Sequence, residues 1–338
     1  MRVTVEKVAQ RAGVSRALAS SVLSGGIPAI RYSEETRQRV QMAAKALNYT
    51  RRAVNGIGLI HSLGPIKPEE TNWVQWLGRM LESIHTESVA NNKMVSVFSL
   101  SSAEISSMFK GSHGPEILKR RKVDGLIISG VFDEMLIDQV KRAGLPFVLM
   151  NVDNSHIHEM DSVFFDDLFA GRQATEYMIK KGHRRILHVT PRHRHQHYSV
   201  MHRRRGYEQA MKDARLQPMV VSERIDTPPA GCQLNESFVA SLREALGGDD
   251  RPTAIFCYNE VATLCCHRVM EQMRLTREDV NLITVGTSYS LLMEFWGIPQ
   301  VEMPVVEVGK HAYRMLMEKQ ETGKAVPSVA VRGHIRDC

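Results

Sequence analysis

A small all-α head followed by an α/β body of two doubly wound lobes is the fold this sequence predicts, on three observations. The first 49 residues show three short helical patterns punctuated by glycine and serine. From residue 56 onward, short apolar runs alternate with longer amphipathic stretches. The charge is lopsided: residues 1–55 hold ten Lys/Arg (Arg2, Lys7, Arg11, Arg16, Arg31, Arg37, Arg39, Lys45, Arg51, Arg52) against Glu6, Glu34 and Glu35. That excess of +7 equals the formal net charge of all 338 residues, so the body is neutral. A basic head on a neutral body suits a polyanion, because cations facing phosphates gain from counterion release.

The head is legible residue by residue. Thr4 caps a first helix whose Val5, Val8, Ala9 and Ala12 fall at i, i+3, i+4 and i+7 on one face. Gly13 ends it, since glycine accepts the left-handed conformation of a helix C-terminus. Val14 turns inward and Ser15 caps a second helix from Arg16 to about Ser24. There Ala19, Val22 and Leu23 point into the core, with Leu18 at its edge, leaving Arg16, Ala17, Ser20 and Ser21 outside. Gly25 and Gly26 stop it. Ser33 caps a third helix with Glu34 and Glu35 in its first turn, where the helix dipole favours anions. Val40, Ala43, Ala44 and Leu47 form its buried stripe. Helix, tight turn, helix and a supporting helix make a helix-turn-helix, whose second helix is short enough to lie in a major groove. A purely structural αα-hairpin shares the periodicity, and the local charge weighs against it.

In the body, strands are expected at "GIGLIHSL" (56–63), "KMVSVFSL" (93–100), "VDGLIISG" (123–130), "LPFVLMNV" (145–152), "RRILHVT" (184–190), "PTAIFCY" (252–258) and "NLITVGT" (281–287). Helices are expected at 73–90, 134–143, 168–181, 199–214, 236–246, 260–273 and 305–318. Near-continuous apolar strands separated by helices indicate parallel sheets covered on both faces. This much sheet exceeds one core, hence two lobes, with ligands at the carboxyl ends of the strands or between lobes.

Other classes lose ground on the same reading. The charged N-terminus has no apolar stretch of a secretory leader, and no run of 18 apolar residues could span a membrane. Five cysteines without a CxxC pair suggest reduced thiols in the cytoplasm. No G-x-S-x-G, P-loop or H-E-x-x-H occurs, and "GIGLIHSLG" is not a dinucleotide fingerprint. Neither a metal nor a cofactor is expected: His193, His195 and His197 alternate at i, i+2, not at the i, i+4 of a helical metal pair. Asp166 and Asp167 read as caps of the helix that follows. The basic stretch "PRHRHQHYSVMHRRR" (191–205) suits either an anionic ligand or a solvated loop.

The stretches "TVEKVAQRAGVSRALASSVLSG" and "YSEETRQRVQMAAKALNY" closely resemble the LacI/GalR (lactose-repressor-like) family of bacterial transcriptional regulators. The resemblance continues through "VDGLIISG", "GLPFVLMNVD", "FFDDLFAGRQATEYMIKKGHRRILHVT", "RRRGYEQAMKDA" and "RPTAIFCYNEVA", and so covers nearly the whole chain. It implies a periplasmic-binding-protein-like body with a small-molecule effector between its lobes. The implied division is 1–49, a helix-turn-helix DNA-binding domain; 50–56, a shortened hinge; and 57–338, an effector-binding and dimerisation domain. Within the last, lobe 1 takes about 57–152 and 304–326, and lobe 2 about 153–303 and 327–338.

The resemblance also implies that Arg16, Ala17 and Ser21 read base edges, while Thr4, Ser15, Ser20, Ser33, Asn48 and Tyr49 touch the phosphate backbone. Chemistry agrees on Arg16, which can donate a bidentate pair to guanine O6 and N7. Ala17 offers only a methyl, and Ser21 departs from the arginine often found there. The family's hinge helix is cut short: Thr50 replaces a proline, and Arg51–Asn55 offer Val54 as the only wedge. A weakly bent operator is therefore expected, with Arg51 and Arg52 on phosphate or the minor groove. By the same resemblance Trp73, Asn151, Arg203, Asn259 and Ser288 face the effector. Glu260 and Ser288 stand where the family carries aspartates, so the effector is expected to be anionic or a sugar derivative. The whole reads as a homodimeric, effector-controlled regulator of a near-palindromic DNA operator, with repression the expected sign. The alternative is a two-lobed binding protein or enzyme with an appended nucleic-acid-binding head.

Overall fold

The computed structural model describes residues 3–24, 31–47, 49, 56–61, 71–99, 123–130, 134–152, 161–192, 198–223, 234–286 and 291–337. The head folds as its punctuation dictates. Helices α1 (Val5–Ala12), α2 (Arg16–Ser24) and α3 (Glu34–Ala46) enclose a small core of Val8, Ala9, Ala12, Ala19, Val22, Val40, Ala43 and Ala44. Lys7 N donates to Thr4 Oγ1 at 3.4 Å, Leu18 N to Ser15 Oγ at 3.2 Å and Thr36 N to Ser33 Oγ at 3.2 Å. Gly13 sits at φ 62°, a conformation that costs any other residue strain. One expectation fails: Ser21 is half-buried with its hydroxyl oxygen out of solvent. Four residues past Ala17 it stands about 40° further round the helix, on the side of half-buried Leu18, at the edge of the outer face rather than on it.

Two compact units divide the chain. The first comprises Met1–Pro65, Ser83–Val163 and Gly309–Ser328; the second comprises Ile66–Glu82, Phe164–Val308 and Val329–Cys338. In the first, strands β1 (Gly56–His61), β2 (Met94–Ser99), β3 (Gly125–Ser129), β4 (Phe147–Met150) and β5 (Ser162–Phe165), the last of which runs on past the unit's end at Val163, lie in the order β5-β4-β3-β1-β2, all parallel. Helices α4 (Thr71–Ala90) and α5 (Glu134–Arg142) follow β1 and β3 in the chain. Leu136, Ile137 and Val140 of α5 bury against Ile60, Leu126, Ile128 and Leu149 of the strands. Such strands, apolar on both faces, are what a parallel sheet requires.

The second unit's main elements are α6 (Asp167–Lys180), β6 (Ile186–Pro191), α7 (Tyr198–Asp213), β7 (Met219–Glu223), α8 (Glu236–Gly247), β8 (Ala254–Cys257), α9 (Glu260–Gln272), β9 (Asn281–Gly286), α10 (Leu291–Phe295) and β10 (Gln300–Glu302). Helix α11 (Val305–Thr322) and strands β11 (Val329–Val331) and β12 (His334–Arg336) complete the chain. The second sheet runs β12-β10-β9-β8-β6-β7, parallel except at β12, whose Ile335 lies antiparallel to Val301. All seven strands and seven helices expected in the body are present. Strands β5, β7, β10, β11 and β12 and the short helix α10 are additions.

Within this unit α6 and α7 approach unusually closely. A Cβ built on Gly171 would lie 2.1 Å from Arg203 O, and one on Gly206 would lie 2.1 Å from Leu168 O. Only two glycines facing each other's backbone allow that separation.

Two histidines are structural. His188 is fully buried, its ring 4.5 Å from Phe256 and 5.2 Å from Tyr207, with Nδ1 3.0 Å from Phe256 O. Burial pushes its pKa down to about 3, and burial likewise pushes His61 of β1 down to about 4. Both are neutral in the fold at neutral pH, whereas unfolded histidine takes up its proton near 6.5. Their stabilisation is therefore complete above pH 6.5 and falls as pH drops toward 4, by about 1.4 kcal/mol per pH unit for each. Urea midpoints should drop between pH 7 and 5, and His188→Phe should shallow that drop. A midpoint that holds steady down to pH 5 would refute this.

Candidate nucleic-acid interface and effector site

The exposed face of α2 carries Arg16, Ala17 and Ser20. Arg16 is largely solvated, its side chain 76% exposed, and its Nε lies 3.7 Å from Glu6 Oε2 on α1. Around this face the cap residues Thr4, Ser15 and Ser33 are themselves exposed, so each hydroxyl can serve a helix end and an incoming phosphate together. Tyr49 is half-buried on the head core, its N–H donating to Ala44 O at 2.8 Å. Asn48, Arg51, Arg52 and residues 50–55 of the 50–56 hinge lie outside the described residues, as does His193–His197 of the basic loop; Gly56 already belongs to β1. The arrangement can do one thing well: present an arginine and small side chains to a groove while hydroxyls and helix N-termini meet the backbone.

In the second unit two of the sequence-predicted residues, Asn259 and Arg203, lie by the carboxyl end of β8. Asn259 follows β8 and caps α9, its Oδ1 accepting from Ala262 N at 2.9 Å. Arg203 of α7 is only 5% exposed. Its Nε donates to Asp167 Oδ1 at 2.7 Å, one terminal nitrogen donates to Tyr258 O at 2.6 Å, and the other lies 3.3 Å from Met303 Sδ. The guanidinium also sits 4.6 Å from the centroid of the Tyr258 ring. Burial opposes the cation, but Asp167 and Tyr258 more than offset it and hold its pKa above the ordinary value. The reading of Asp166 and Asp167 as two caps is half right. Asp166 Oδ1 accepts from Phe169 N at 3.0 Å, whereas Asp167 turns inward as the counter-ion of Arg203. No sequence signal announces that pair, because its partners are 36 positions apart.

Asn151, in the first unit, ends β4 at φ 48° and is half-buried, its N–H donating to Val163 O at 2.9 Å. Trp73 lies in α4, and its side chain, like Ser288, is outside the described residues. Among the described residues no cluster of His, Cys, Asp or Glu could hold a metal ion, and no helix is long and apolar enough to cross a membrane.

A helix-turn-helix head followed in the chain by two mainly parallel α/β sheets defines a DNA-binding regulator with a small-molecule-binding body. Comparisons with known proteins agree. Residues 4–52 match the family described as bacterial regulatory proteins, lacI family, and residues 111–331 match periplasmic binding proteins and sugar binding domain of LacI family. The chain belongs to the LacI family of transcriptional regulators, and accordingly is not an enzyme. It is 25% identical to the HTH-type transcriptional repressor PurR of Vibrio vulnificus, over 98% of each chain. Among solved structures it is similar to a transcriptional regulator CelR–cellobiose complex (TM-score 0.65, 22% identity, 99% and 98% of the two chains). It is also similar to the lac repressor dimer bound to operator and the anti-inducer ONPF (TM-score 0.62, 18% identity, 99% and 98%).

Proposed function

We propose that the protein is a repressor that binds a near-palindromic operator as a homodimer and is released or recruited by an uncharged polar effector. The observation that carries the DNA reading is the exposed α2 face, with Arg16 at its first turn and capped helix N-termini around it. A monomeric head reads few bases, so two heads on a symmetric body suit a palindrome. Val89 at the end of α4 and Met94 and Val97 of the edge strand β2 are 56%, 71% and 50% exposed, apolar surface that suits a second copy. For the effector, Arg203 already has its counter-ion in Asp167, which removes one cation of the basic stretch as a partner for an anion. Among the similar structures, the ligand named with CelR is cellobiose, a neutral sugar.

Arg16→Ala tests the core of this reading. Losing a bidentate base contact costs about 1–3 kcal/mol, and the substitution removes one in each half-site, so operator affinity should fall on the order of a hundred-fold or more, with little change on random DNA. Gel shifts at one stated salt concentration measure both, and count two chains per operator. Equal losses on operator and random DNA would remove Arg16 from base reading.

A further inference from the structure

An anion stands where a polyanion is to be bound. Glu6 is one of three acids among residues 1–55, against ten Lys/Arg, and it is exposed on the first turn of α1. In a helix-turn-helix the first helix crosses the phosphate backbone while the second enters the groove. A lone carboxylate there would repel phosphate and weaken every complex. Glu6 is not alone: its Oε2 lies 3.7 Å from Nε of Arg16, with side-chain exposures of 55% and 76%.

We propose that Glu6 is a positioning and specificity residue of the DNA interface, holding the Arg16 guanidinium for guanine and denying it to phosphate. This rests on Arg16 reading a base edge, as proposed above. Two physical consequences follow from the pair. A carboxylate on the Nε side of the guanidinium favours orientations that leave its two terminal nitrogens directed outward along one fork, the geometry that guanine O6 and N7 accept. Glu6 also competes with phosphate for the Arg16 charge, which lowers what that cation adds to counterion release on DNA of any sequence. In free protein the contact is solvated and weak. On the operator, water leaves the groove and the local dielectric falls, so the pair strengthens only where Arg16 is correctly docked. Glu6 thereby subtracts from non-specific binding and adds to discrimination.

The test is a double-mutant cycle on the full chain with Glu6→Ala, Arg16→Ala and both together, plus Glu6→Gln, against operator and random duplexes across a salt series. Glu6→Ala should tighten random-DNA binding, steepen its salt dependence by about one unit as Arg16 turns to phosphate, and lower the operator-to-random ratio about ten-fold. Glu6→Gln, which keeps an acceptor for Nε without the charge, should recover part of the ratio while leaving the steeper slope. The two alanine effects on that ratio should be strongly non-additive. Additive effects, or an unchanged ratio and slope in Glu6→Ala, would overturn the proposal. If Arg16→Ala itself leaves the ratio unchanged, the base-reading role fails instead, which separates the two failures. Both side chains are exposed, so thermal unfolding should be unaltered in all four variants; a large shift would assign the pair to the fold and overturn the proposal too.

Discussion

Asp167→Ala should destabilise the protein by about 3–5 kcal/mol, because it strands a buried guanidinium without its counter-ion. Arg203 is 5% exposed and bonded to Asp167 at 2.7 Å, and its remaining partners, a carbonyl and a thioether, carry no compensating charge. Thermal unfolding should fall on the order of 10 °C, since a domain of this size loses about 2–4 °C per kcal/mol. Asp167→Asn should lose less, because the amide oxygen still accepts from Nε. The pairing Asp167→Leu with Arg203→Met should recover much of the loss, since replacing both charges by apolar groups removes the desolvation cost along with the attraction. A fall under 1 kcal/mol in Asp167→Ala, measured by urea unfolding, would mean the pair is far better solvated than its burial indicates. The same logic makes Arg203→Ala a fold-damaging change, so an effector-response assay on that variant must be read beside its melting curve.

Gly206→Ala should be nearly as damaging, through sterics alone. Its Cβ would lie 2.1 Å from Leu168 O and 2.7 Å from Arg172 N, backbone atoms that no rotamer change can move. Helices α6 and α7 must separate, and overpacking of this kind costs typically about 1–3 kcal/mol and occasionally more. Separation also pulls Arg203 from Asp167, so the loss should sit at the upper end of that range. Gly171→Ala should behave alike, since its Cβ meets Arg203 O at 2.1 Å. Gly78 is the control: it lies in α4 with nothing within 4 Å, and alanine there should stabilise by about 0.4–1 kcal/mol. Equal melting temperatures for Gly206→Ala and Gly78→Ala would refute the close crossing.

What could be read in advance divides along the range of the interactions. The head's caps were visible because Thr4, Ser15 and Ser33 act on amides three residues away, and Gly13 on its own turn. Buried strands such as 125–129 and 254–257 announce themselves as uninterrupted apolar runs. Strands β10, β11 and β12 have three residues each and mixed polarity, so periodicity has nothing to measure. The role of Asp167 was hidden for another reason. Beside Asp166 it reads as a cap, and only the crossing of α6 over α7 aims it at Arg203. Ser21 shows the limit within a helix: assigning a face to within one residue is easy, but a serine at the boundary of that face can turn either way.

The first unit is assembled from three separate stretches of chain, the last of them Gly309–Ser328. That stretch supplies Lys319, which pairs with Asp161, and Val326, whose N–H donates to Asp161 Oδ1 at 2.6 Å. It also supplies Leu316 and Gln320, which lie over Gly125 of β3. Synthesis runs from the other end. The DNA-reading head leaves the ribosome with its own small core complete, while the sheet behind it waits for residues more than 250 positions downstream. At about 5–20 residues per second that interval is on the order of tens of seconds. During it, a basic, folded head is tethered to an unfinished body with its apolar strands uncovered. Nascent chains should therefore engage DNA non-specifically before they can pair or sense any effector. Premature termination would yield fragments that hold phosphate without regulation.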